Sequence, residues 1–183
     1  TALFDLGCLL IALSVQGTHG ALVLYASLAT RALGLALLGI ATEALLKESS
    51  EDSLTSLRSI GRLQPLAAVA LMIGGFTIAG TPLAAGFAER WLMLRDLAQL
   101  DERWAWLVVL AGLGVVIAYL RALFALLRAD EAGSRILRPI SILWIPSAVL
   151  LLLSLASVTL GVFPNPILHI ASVLVVLYPL PQF

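Results

Sequence analysis

Along the chain, apolar runs of helical length alternate with short polar breaks. Six of them approach the roughly 20 residues that a bilayer core of about 30 Å asks of a helix. They cover about residues 2–16, 21–46, 63–79, 83–98, 104–127 and 140–161. The first is short and reaches the second through the turn "QGTHG". The second ends in "TEALLK", where Glu43 and Lys47 stand four apart, an ordinary surface pair at a helix end. "ESSEDSLTSLRSIGR", residues 48–62, is the one long polar loop. The third run is stopped by "AGTP", because Pro82 lacks an N–H and Gly80 admits unusual backbone angles. The fourth carries Glu89, Arg90, Arg95 and Asp96; after "LDER" comes the fifth, and then the charged loop "RADEAGSRILRP". "FPNP" ends the sixth and leaves a last apolar piece at 167–178, too short to span comfortably. The pattern predicts an all-α, polytopic membrane helix bundle of about six transmembrane helices, with residues 1–183 forming a single transmembrane domain.

Composition turns this pattern into an assignment of solvent. The chain is 61% hydrophobic and 12% charged, with mean hydropathy +1.04. Soluble domains carry about 25% charged and about 45–50% apolar residues. A globular core of this size cannot hide so much apolar surface, so the surrounding medium is lipid and the protein is integral and multi-pass. Eleven basic and eleven acidic residues cancel, leaving no basic face for nucleic acid. A single cysteine, Cys8, excludes an internal disulfide and a multi-cysteine metal site. No His/Cys cluster, glycine-rich phosphate loop or Ser/His/Asp set is present, so no cofactor is expected. Loop charges leave the orientation open, with Lys47, Arg58, Arg62 and Arg103 on one side against Arg128, Arg135 and Arg138 on the other. The sequence begins at Thr1, directly in an apolar segment, with no charged leader before it. The expectation is a fragment or a chain whose upstream part is missing.

Three charges fall well inside predicted helices: Arg31, Glu89 and Arg90. Each costs about 2.5–3.5 kcal/mol on insertion scales if left at the bilayer centre, so each must face protein or water within the bundle. Glu89 and Asp96 are seven apart and share a helix face. Arg90 lies about 100° round from Glu89 and four residues after Gly86, whose missing side chain would let a helix or water approach the guanidinium. Arg31 has no acidic residue within a turn, so its partner must come from another helix or another chain. One reading makes these charges a structural ion pair between helices. The other makes them a station in a proton or ion path, in which Glu89 must carry the proton because an arginine does not release one. Gly34 and Gly39 suit close helix packing. Asp5 is read as lying near a membrane surface, His19 in a loop, and His169 at an interface. Arg95, Asp96, Arg103, Arg121 and Arg128 lie toward helix ends, where long side chains snorkel. Trp91, Trp104, Trp106 and Trp144 fit interfacial belts.

The stretch "LTSLRSIGRLQPLAAVALMIGGFTIAGTPLAAGFAERWLML" resembles the second-half signature of the antiporter-like membrane subunits of respiratory complex I, relatives of Mrp-type sodium/proton antiporters. In that family a leucine–glycine–arginine stretch and a proline precede an apolar helix, followed by "SLAGIPP" and then "GF..K". Gly61, Arg62, Pro65, Ala79, Gly80, Pro82, Gly86 and Phe87 fall in place here. "ALFDLGCLLIAL" is similar to the family's "SSIAQLGYILLAL", "YLRALFALL" to its "YYLRV", and "LGVFPNPIL" to its closing "LGIFPQPLL". The likeness is greatest to the N-type subunit, the counterpart of mitochondrial subunit 2, with a subunit of the Mrp-type antiporters as the other candidate. It covers the second half of the family's fold, with the later five-helix repeat at about 1–128 and the final helix and short terminal segment at about 139–183. By the resemblance, Gly80, Pro82 and Gly86 form the break of an interrupted helix. The position after "GF.." that is usually lysine, sometimes glutamate, is Arg90 here, and the positions matching "TH…K" are Thr30, Arg31 and Leu35. A buried lysine can be brought toward neutrality by its surroundings, and arginine cannot follow.

The resemblance implies two functions. In the first, the chain is a membrane-arm subunit of an NADH:quinone oxidoreductase (a bacterial plasma membrane or mitochondrial inner membrane enzyme) and passes protons between Glu89, water and neighbouring carboxylates, with Arg90 a fixed charge acting on Glu89. In the second, the half-channel has lost conduction and the chain is packing surface for other subunits. A cation/proton antiporter is a further alternative. All three place it in lipid, among other membrane-arm subunits of a multi-subunit complex.

Overall fold

The structure, a computed structural model, describes residues 2–14, 18–47, 64–127 and 144–178. The long polar loop with Gly61 and Arg62, and the charged loop with Arg128, lie outside the described residues. Seven helices are described: α1 Ala2–Ser14, α2 Thr18–Lys47, α3 Pro65–Ala79, α4 Phe87–Leu100, α5 Glu102–Leu127, α6 Trp144–Val162 and α7 Asn165–Leu177. No strand occurs among the described residues, and the bundle is that of an integral membrane protein. By length and apolarity α2 and α5 can each cross a bilayer alone, and α6 with α7 make a third crossing if counted as one bent span. The α1 and α3 helices are apolar but shorter. His19, expected in a loop, lies in the first turn of α2.

The long helix α2 is the centre of the bundle and packs most extensively on α3. Small residues make this approach possible. A methyl group at Gly74 would lie 3.1 Å from the Gly34 carbonyl, and one at Gly34 would lie 2.8 Å from the Ile78 side chain. Without a hydrophobic force between helices in lipid, close van der Waals contact of this kind is what holds them together. Gly39, by contrast, meets nothing among the described residues, so its expected packing role is not seen there. One apolar core joins Leu37, Ala41 and Leu45 of α2 to Ala67 and Ala70 of α3, Leu126 of α5 and Leu150 of α6. A second joins Cys8 and Ala12 of α1, Val23 of α2, Met93 and Leu97 of α4, and Val108 of α5.

Between α3 and α4 the chain is non-helical for residues 80–86, a longer break than "AGTP" alone foretells. Gly80 sits in the left-handed region at φ 71°, and its N–H returns to the Phe76 and Thr77 carbonyls at the end of α3. Leu83 also holds a left-handed φ of 71°, which is why the apolar "LAA" does not begin the helix as expected. Irregular backbone at membrane depth is tolerated only where protein supplies its hydrogen bonds. Here Thr81 N–H donates to Phe76 O at 3.1 Å, Ala84 N–H to Thr81 O at 3.2 Å, and Phe87 N–H to Ala84 O at 3.0 Å. Helix α6 latches onto this joint. Gly161 lies so close to the backbone of Leu83 and Ala84 that a side chain would overlap it, and the Thr77 and Ser157 hydroxyls meet at 2.7 Å. At Phe163 and Pro164 the chain then turns by 79° into α7. That helix returns against α2, where the Tyr25 hydroxyl donates to the Tyr178 carbonyl at 2.9 Å.

Candidate functional site: a buried cluster of four charges

Successive residues of a helix point about 100° apart, so two adjacent side chains serve two different neighbours. The cluster is built from two such doublets, Thr30–Arg31 on α2 and Glu89–Arg90 at the start of α4, with Asp5 of α1 between them. Glu89 and Arg90 are each only 8% exposed.

Glu89 points to α2. Thr30 Oγ1 lies 2.6 Å from both of its carboxyl oxygens. None of the ion pairs among the described residues includes Glu89. Arg90 points the other way, into the broken joint. It donates to the Ile78 carbonyl at 3.0 Å, and its guanidinium stands 5.0 Å from the centre of the Phe4 ring. The last carbonyls of a helix lack intrahelical partners and attract a cation, and Arg90 answers both needs at the end of α3. Gly80 makes the room, since a methyl group there would lie 2.7 Å from Arg90 Cβ. This role was expected of Gly86, which instead packs its bare Cα against the Thr77 carbonyl.

Asp5 ties the cluster together. Its Oδ2 lies 2.7 Å from Arg31 Nε and its Oδ1 3.7 Å from an Arg90 terminal nitrogen. Arg31 thus finds its partner on another helix, one of the two options left open by its isolation on α2. The expectation for Asp5 was a membrane surface; the structure buries it instead, among two guanidiniums. Asp96, which shares a face with Glu89 in projection, is only half-buried and takes no part in the ion pairs described. Beside the cluster lies a cavity of about 10 Å³ lined by Asp5, Cys8, Ser27, Glu89, Arg90 and Met93, among others. That is the threshold size for one water, which needs about 10–15 Å³.

The sequence thus pointed to Glu89, Arg90 and Arg31, which the fold brings together, and missed Asp5, Thr30 and Phe4. A signal for Asp5 existed. It stands three residues before Cys8 and seven before Ala12, on the stripe of α1 that is buried, so it could not have faced a membrane surface alone.

The family described as NADH:quinone oxidoreductase/Mrp antiporter, TM, matches over residues 3–118, a segment containing every residue of the cluster and the whole α3–α4 joint. A search of curated proteins found no match.

Proposed function

Because the chain belongs to the NADH:quinone oxidoreductase/Mrp antiporter membrane family, we propose that it is a membrane-arm subunit of a proton-translocating NADH:quinone oxidoreductase, with Glu89 as its proton-carrying group. One observation carries this reading. Glu89 is a buried carboxyl with no ion pair among the described residues, held by a hydroxyl next to a small cavity at the threshold size for one water. Arg90 stands where the resemblance places the channel lysine, yet its side chain is turned into the α3–α4 joint and onto Asp5. It cannot release a proton on a useful timescale. Proton movement is therefore assigned to the neighbouring residue, and Arg90 to holding the joint. Redox chemistry elsewhere in the assembly would act on the cluster through the field or the hydration at Asp5 and Arg31. Its partners would be neighbouring membrane subunits and lipid.

The test is NADH-driven proton uptake in membrane vesicles carrying the assembled complex. Glu89→Gln keeps the shape and the Thr30 contact but cannot cycle a proton, so the protons moved per NADH should fall while the complex still assembles. Uptake equal to that of the unsubstituted chain would overturn the assignment.

A second reading, packing without conduction, has an observation of its own. Asp5 engages both arginines, which locks α1, α2 and α4 together. Arg90→Lys separates the two. Raised proton flux supports a degenerate channel; unchanged flux with weakened assembly supports the scaffold.

A further inference from the structure

Thr30 Oγ1 stands within hydrogen-bonding distance of four oxygens. Both carboxyl oxygens of Glu89 are at 2.6 Å, the Ser27 carbonyl is at 3.1 Å and the Ala26 carbonyl at 3.3 Å. A threonine hydroxyl has one hydrogen to give, whereas carbonyls and ionised carboxylates can only receive. With Glu89 ionised, one hydrogen faces four acceptors. With Glu89 protonated a second hydrogen enters the group. The carboxylic O–H donates to Thr30 Oγ1, and the Thr30 hydroxyl passes its own hydrogen back to a carbonyl of its helix.

Burial without an ion pair favours the same state. Among the described residues, the charged and titratable side chains about Glu89 are Asp5 and Cys8 on α1, Arg31 on α2 and Arg90 on its own helix. Asp5 engages both guanidiniums, and Glu89 shares in neither pair. Glu89 also lies in the first turn of α4, where free amides could bind a carboxylate, yet its oxygens are turned toward Thr30 instead. A buried charge with neither an ion-pair partner nor amide donors is strongly disfavoured, and a neutral acid is not. The Arg90 guanidinium, the nearest positive charge, is turned away from Glu89 onto the Ile78 carbonyl at 3.0 Å and toward Asp5 at 3.7 Å.

We infer that the Thr30–Glu89 pair is a proton-holding site, in which Glu89 rests as a carboxylic acid and Thr30 positions its proton. This deepens the functional reading above and rests on it for its purpose, though not for its test. The test is difference infrared spectroscopy of the full chain, in its assembled complex in lipid at neutral pH. The expected result is a carboxylic C=O band that shifts in heavy water, vanishes in Glu89→Gln and persists in Asp5→Asn. Thr30→Val should move the band to higher frequency and Thr30→Ser should restore it. If Glu89→Gln does not accumulate, the comparison of Thr30→Val with Thr30→Ser suffices, since a protonated Glu89 moves a carbonyl band and an ionised one moves a carboxylate band. Spectra in which these variants alter only carboxylate bands would overturn the inference. A protonated Glu89 in a complex whose flux ignores Glu89→Gln would sink the transport assignment and leave the proton-holding site standing.

Discussion

Asp5 is ion-paired with two arginines on two other helices, and this double duty sets what its loss does. Removing one partner of a buried pair leaves an uncompensated charge, a change that costs about 3 kcal/mol or more. Asp5→Asn leaves two guanidiniums facing each other without their shared anion, so it should lower stability by about that amount, read as a fall in the denaturation midpoint in detergent. Arg31→Gln alone should cost less, because Arg31 is partly exposed. The double variant should recover part of the loss, as contacting residues do in a double-mutant cycle. Strict additivity would mean that the Asp5–Arg31 pair contributes nothing. At this scale the sequence was only partly legible. Glu89, Arg90 and Arg31 stand out because charge inside an apolar run is costly wherever the run folds. Asp5 and Thr30 do not, because their importance lies in which helices meet, and hydropathy along one chain carries no information on that. The divergence of Glu89 and Arg90 was readable as an angle, but its destinations were not.

At the scale of elements, the joint between α3 and α4 invites a matched pair of substitutions. Gly80→Ala would place a side chain on a backbone at φ 71° and push its methyl into Arg90. A left-handed conformation disfavours an L-residue by about 1–2 kcal/mol before any clash is counted. Gly39→Ala, in open space on α2, should be neutral or gain roughly 0.5–1 kcal/mol from helix propensity. Paired melting curves would check both, and equal effects at the two positions would contradict the geometry. Most helices fall close to where the apolar runs place them, since a run bounded by Pro, Gly and charge has few alternatives. The break itself was underestimated. Leu83, Ala84 and Ala85 are good helix residues by composition, and only their packing against α6 and their internal hydrogen bonds hold them out of α4.

Over the whole molecule, the outer face of α5 displays Trp106, Leu110, Leu113, Ile117 and Phe124 to the surroundings. For a bilayer protein this is the ordinary boundary with lipid or with an apolar neighbour. Cysteine variants at Leu110, Leu113 and Ile117 carrying spin labels should be quenched by oxygen and shielded from water-soluble relaxants. The reverse pattern would mean that the face lines an aqueous path. Leu113→Arg should cost about 2.5–3.5 kcal/mol if that position lies near the bilayer centre, read as reduced membrane insertion.

The latch of α6 on the joint has a consequence for how the protein is made. Every charged residue of the cluster lies before residue 91, and the hydroxyl and glycine that clasp the joint, Ser157 and Gly161, come some seventy residues later. During synthesis the charges therefore enter the membrane well before the clasp that fixes their geometry. A chain halted before α6 would hold a complete but unfastened cluster, open to misdirected pairing until α6 arrives.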